Sequence, residues 1–126
     1  MNIIKHLHTD LAPLAIGPYS QAVIVNDCLH TSGQIPLDPI KGEIVEGGIE
    51  EQTLQVMRNL SAILKEAGSS FEKVFKTTCF LADMDDFAKF NEIYAEYFIS
   101  KPARSCVAVR TLPKNVKCEV ELIAII

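Results

Sequence analysis

The chain has no apolar run near the roughly 20 residues needed to cross a bilayer, and Met1 to Asp10 mixes Lys5, His6, His8 and Asp10 with short apolar stretches, unlike an export signal. A protein without membrane partner or targeting segment, resident in the cytoplasm, is expected. The four cysteines, Cys28, Cys79, Cys106 and Cys118, form no Cys-x-x-Cys pair and share no ligand spacing with histidine. That excludes the usual zinc and dithiol motifs and predicts thiols kept reduced and packed as small hydrophobes. Positive charge is scarce: 12 Lys and Arg stand against 16 Asp and Glu, net -4, with no basic stripe. Nucleic acid is therefore an unpromising partner. Repeats, low-complexity tracts and Ser- or Gly-rich linkers are absent, so one fold is expected over residues 1–126. Gly47-Gly48 lacks the context of a phosphate-binding loop and reads as the approach to a helix.

With 48% hydrophobic and 22% charged residues over 126 positions, the chain can bury one core. Thr53, Val56, Met57, Leu60, Ile63, Leu64 and Ala67 recur every three or four residues, which predicts a helix over Ile49 to Ala67 stopped by Gly68. Asp83 or Asp85 can cap a second helix whose Phe87, Phe90, Tyr94, Tyr97 and Phe98 share one face, ending before Pro102. Strands are predicted at Ile3 to Leu7, Gln21 to Asn26, Cys28 to Ile35, Glu72 to Ala82, Ala103 to Arg110 and Val116 to Ile126, with Asn26-Asp27 as a tight turn. Six strands and two helices in this order predict an α+β fold, a mixed or antiparallel sheet with both helices on one face.

Two helices cover one sheet face only. Yet Val120, Leu122, Ala124 and Ile126 oppose Ile123 and Ile125, and Phe75, Cys79 and Leu81 oppose Val74, Phe80 and Ala82. A second apolar face of that size predicts a homo-oligomer that packs sheet on sheet.

Arg104, Glu119 and Glu121 lie in strands that otherwise read as buried. Buried charges either neutralise one another or await a charged ligand. Arg104 either bridges to Glu119 or Glu121, or offers its planar fork to a carboxylate; Glu119 with a raised pKa is a candidate general acid or base. Cys106 has a guanidinium neighbour that favours thiolate, but no histidine motif beside it, so a structural thiol is the simpler reading. His6, His8 and His30 offer no third metal ligand. Gly17-Pro18-Tyr19-Ser20 and Thr31-Ser32-Gly33-Gln34 are either turns or places where a ligand approaches backbone amides.

Taken together, Ile16-Gly17-Pro18-Tyr19-Ser20-Gln21-Ala22, Thr31-Ser32-Gly33-Gln34-Ile35-Pro36, Lys76-Thr77-Thr78-Cys79-Phe80-Leu81 and Pro102-Ala103-Arg104-Ser105-Cys106-Val107, followed by Leu112-Pro113 and Glu119-Val120-Glu121, resemble the reactive intermediate deaminase family, the RidA (YjgF) group, over nearly the whole chain. The resemblance implies a chorismate-mutase-like fold, a six-stranded sheet backed by two helices, in a homotrimer with ligand sites between subunits. It implies that Arg104 binds a carboxylate, that Glu119 stands near the reacting group, and that Tyr19, Ser32, Gly33, Asn91 and Cys106 line the pocket, Cys106 through its backbone. The implied reaction is hydrolysis of enamines and imines, 2-aminoacrylate or 2-iminopropanoate and 2-iminobutanoate, to 2-oxo acids and ammonia. Holding the carboxylate and placing a water suffices for that chemistry, so no cofactor or metal is expected. Three other readings stay open: a binding module that senses small 2-oxo carboxylates, an RNA-directed translation inhibitor, and a redox-triggered holdase.

Overall fold

The computed structural model describes residues 3–126; Met1 and Asn2, the start of the segment read above as untargeted, lie outside the described residues. In chain order the elements are β1 (Lys5–Leu7), β2 (Ala22–Val25), β3 (Cys28–Thr31), β4 (Leu37–Asp38), β5 (Glu43–Ile44), α1 (Ile49–Glu66), β6 (Val74–Leu81), α2 (Phe87–Tyr97), β7 (Ala103–Ala108) and β8 (Cys118–Ile125). Six strands form one sheet in the order β1-β2-β3-β8-β6-β7, and β4-β5 forms a separate small hairpin. All pairs in the large sheet are antiparallel except β6 with β7, which the intervening α2 makes parallel. The α+β architecture with a mixed sheet and two helices agrees with the sequence reading.

Local chemistry sets the boundaries. Gly48 N–H donates to Glu51 Oε1 at 3.0 Å, which fixes the start of α1, and Gly68 (φ 75°) supplies the left-handed residue beyond its end. Asn26 and Asp27, at φ 49° and 62°, make the two-residue turn between β2 and β3. Asp83 caps a single 3₁₀ turn, its carboxylate accepting from Asp85 N–H at 2.9 Å, and α2 follows at Phe87. The hairpin of β4 and β5 was not expected from the sequence; two residues per strand are too few to show alternation.

The core lies between the helices and one sheet face. Val56, Met57, Leu60 and Ile63 of α1 and Phe90 of α2 are fully buried against Leu29, Cys79, Leu81, Val120 and Ala124. One expectation fails: Phe75 does not join Cys79 and Leu81 on this face. A bulge shifts the β6-β8 register between Val74 and Lys76, so Val74 enters the core and Phe75 turns outward, 43% exposed.

A second irregularity shortens β3, which the sequence carried to Ile35. His30 pairs with Ile123, and Gln34 pairs again with Val120, so three residues (31–33) oppose two (121–122). Thr31 Oγ1 fills the gap by accepting from Leu122 N–H at 3.0 Å. The bulge re-aims Ser32 and Gly33.

Among the described residues both helices pack on the other face, so beyond the loops around Glu119 the outer face of the large sheet is left open. Val107 (47%) and Ile125 (52%) are exposed there, and Phe80 and Ile123 are half-buried.

Candidate functional site

Register decides which side chains can meet, because residues directly opposite in neighbouring strands share a face. Thr77 pairs with both Arg104 and Leu122, which puts Arg104 on the helix-facing side. Phe80 pairs with both Glu119 and Val107, which puts Glu119 on the outer side. Within one chain the two charges therefore stand on opposite faces, and the ion pair considered from the sequence does not form. Among the described residues, the salt bridges within 4.0 Å are His8–Asp10 and Lys89–Glu50.

The outer half is a cavity of about 740 Å³ with Tyr19, Ser32, Gly33, Gln34 and Glu119 in its wall and Pro13, Leu14, Ile16 and Ile35 around them. Gly33 lets the Glu119 carboxylate lie against the backbone: a Cβ there would overlap Oε2 and lie 2.8 Å from Cδ, so the side chain would have to move. Burial, reinforced by Glu121, pushes the Glu119 carboxyl above its ordinary pKa. Ser32 Oγ donates to Ser20 C=O at 2.6 Å, so this hydroxyl already has a structural task. Gln21 pins the preceding loop: its Oε1 accepts from Thr9 N–H at 2.7 Å and its Nε2 donates to Thr9 C=O at 2.9 Å and Pro13 C=O at 2.8 Å. Sequence reading missed Gln21 because nothing in its surroundings marks it as buried. Tyr19 is 54% exposed at the mouth.

The inner half belongs to β7 and α2. Phe87, Asn91 and Tyr94, spaced i, i+4, i+7, present one stripe of α2 to the sheet edge. Arg104 Nη1 donates to Asn91 Oδ1 at 2.7 Å, and its Cζ lies 4.6 Å from the Tyr94 ring centroid and 5.4 Å from that of Phe87. Arg104 also lines a cavity of about 600 Å³ with Tyr94, Phe98 and Lys101. Cys106 stands opposite Cys79 on the same face. Burial raises its thiol pKa, outweighing Arg104 and a hydrogen bond from Cys79, which pull the other way. The guanidinium does not generate a thiolate.

Elsewhere, His6 Nδ1 meets Ser20 Oγ at 2.8 Å and His8 Nε2 meets Asp10 Oδ1 at 2.8 Å, so the two histidines have separate partners. No helix among the described residues is long and apolar enough to cross a membrane.

A six-stranded mixed sheet with two helices is the α+β architecture of Rid-family structures. The profile of the family described as Endoribonuclease L-PSP matches residues 9–126. A Lactococcus lactis protein, whose name AldR classes it provisionally as a regulator, is 60% identical over 96% of this chain and 97% of its own. The mouse 2-iminobutanoate/2-iminopropanoate deaminase is 50% identical over 98% of this chain and 92% of its own. The crystal structure of Escherichia coli TdcF with bound serine superposes with TM-score 0.91 at 43% identity, covering 97% of this chain and 98% of that one. The chain belongs to this family, the YjgF/RidA family.

Proposed function

We propose that the protein hydrolyses small 2-imino acids, 2-iminopropanoate and 2-iminobutanoate, to 2-oxo acids and ammonia, at sites completed between copies of the chain. The observation that carries this reading is the separation of Arg104 from Glu119: an unneutralised guanidinium on one face, a carboxyl of raised pKa on the other. A homotrimer packed through the bare outer face brings Arg104, Asn91 and Cys106 of one copy to Tyr19, Ser32, Gly33 and Glu119 of the next. The mouse deaminase and the serine-bound TdcF support a small amino-acid-like ligand.

In this mechanism Arg104 grips the substrate carboxylate through two N–H groups, and backbone groups at Gly33 and Cys106 set its orientation. Enamine substrate first tautomerises to the imine, its carbon taking a proton from solvent water and its nitrogen returning one. Water then adds to C2, the Glu119 carboxylate accepting its proton. That proton passes to nitrogen and completes the carbinolamine; the hydroxyl proton then travels through Glu119 to the amino nitrogen as the C–N bond breaks, so the carbonyl forms and ammonia leaves. One positioned acid or base supplies about 100- to 10,000-fold, which suits a substrate already unstable in water.

Complementation tests the arrangement. Arg104→Ala chains alone should be inactive and Glu119→Gln chains alone should keep about 1% of activity. Co-expressed in random trimers, about a quarter of sites would combine both intact residues, restoring about a quarter of wild-type activity. No recovery, with mixed assemblies verified by mass spectrometry, would overturn the shared site. The resemblance to AldR favours one second reading, a carboxylate sensor without turnover. Calorimetric binding of 2-oxobutanoate, together with ammonia release from a freshly generated imine no faster than in buffer, would favour it.

A further inference from the structure

Among the described residues Arg104 forms no salt bridge, and what holds it is unusual. One face of the Tyr94 ring stacks on Phe98, centroids 4.3 Å apart at 28°. Its hydroxyl meets Thr77 Oγ1 at 2.7 Å in the buried interior. Thr77 and Tyr94 are 0% and 7% exposed, so both are packed in the core. Against this ring lies the guanidinium, 4.6 Å from the centroid, tied at one nitrogen to Asn91.

We propose that Tyr94 is a positioning residue for the carboxylate site, its ring face acting in place of a counter-ion to hold Arg104. This rests on the function proposed above and adds a residue to it. The physics favours a ring over a carboxylate. A guanidinium has five N–H donors in a planar fork, and an acidic partner would occupy two of them and cancel the charge that the substrate needs. A ring face attracts the same cation through its quadrupole and uses no N–H group. Asn91 takes one donor and remains neutral, so a free edge of the fork is left for a bidentate carboxylate. The Thr77 hydroxyl stops the ring from turning, and Phe98 stops it from tilting. Arg104 is thereby presented in one orientation before the ligand arrives.

Tyr94 also packs the core, so simple truncation would confound positioning with folding. A series of equal shape separates them. In the full-length protein, position 94 is occupied in turn by phenylalanine, 4-fluoro-, 3,5-difluoro- and 3,4,5-trifluorophenylalanine, which drains the ring quadrupole stepwise at nearly constant volume. Two readouts are taken: the order parameter of the Arg104 Nε–H group by NMR, and the Kd of 2-oxobutanoate by calorimetry. The chain has three arginines, Arg58, Arg104 and Arg110, and Arg104→Lys assigns the signal by its loss.

The expected result is stepwise loss of Arg104 order and weakening of 2-oxobutanoate binding by on the order of tenfold across the series. An Arg104 signal unchanged from first to last member would overturn the proposal, whatever the binding does. So would falling order with strong, unchanged binding. If order falls but the unsubstituted protein binds no 2-oxobutanoate, Tyr94 still positions Arg104 and the carboxylate function is what fails.

Discussion

The two faces of one sheet treat their charges in opposite ways. On the helix side, Arg104 is supported by a neutral amide and a ring face, so its charge is kept and left unspent. On the outer side, Glu119 lies against Gly33 with burial and Glu121 both disfavouring ionisation. The contrast teaches that a sheet can hold a guanidinium and a carboxyl two strands apart and prevent them from pairing merely by giving them opposite parity. Edge position helps: β7 pairs with β6 alone, so Arg104 sits where another chain can approach.

The sharpest way to break the contrast is Arg104→Ala. Truncating one member of a desolvated, hydrogen-bonded charge pair costs about 2–5 kcal/mol, so turnover should fall beyond detection above the spontaneous rate while gel filtration shows unchanged assembly. Full activity would remove the anchor role.

Glu119→Gln should lower kcat by about 100-fold with little change in 2-oxobutanoate affinity. Its stability should move the other way. Folding raises the pKa of this carboxyl, so its favourable contribution is complete below the unfolded pKa and is lost as pH rises through the folded value. Melting curves from pH about 4 to about 8 should show wild type losing stability relative to Glu119→Gln at the upper end. Parallel curves would mean that the carboxyl is not held in a desolvated site.

Gly33→Ala sharpens the comparison from the backbone side. Its methyl must displace the Glu119 carboxylate, at about 1–3 kcal/mol of overpacking, with kcat falling and the Arg104 half untouched. An unaltered pH profile would show that Glu119 can move aside freely. The smallest local effect is expected for Val107→Lys on the outer face, within about 0.5 kcal/mol for the isolated fold. In solution it should nevertheless shift the mass toward monomer by light scattering; an unchanged mass would mean that another surface makes the assembly.

Most of the fold was legible in the sequence because the periodicities are long. α1 repeats its apolar residues over 18 positions, and the Asn26-Asp27 turn carries its own conformational signature. The two bulges were not legible: nothing in Val74-Phe75-Lys76 announces that a residue is skipped, and parity counted through Phe75 gives the wrong face. The site residues could be named, but their distribution over two faces follows from register between β6, β7 and β8, which single-strand patterns do not contain. Tyr94 was legible only as a helix-face aromatic; its contact with Arg104 needs the parallel pairing of β6 with β7.

The interruption at residues 31–33 separates two jobs that a continuous ladder would fuse. Pairing resumes at Gln34 with Val120, so the strand on either side is anchored independently of the loop it throws out. Changes in the lip around Tyr19 and Ser32 can then be absorbed without re-registering β8, on which Glu119 rides. A lineage is free to reshape this lip while the Glu119 carboxyl stays where it is.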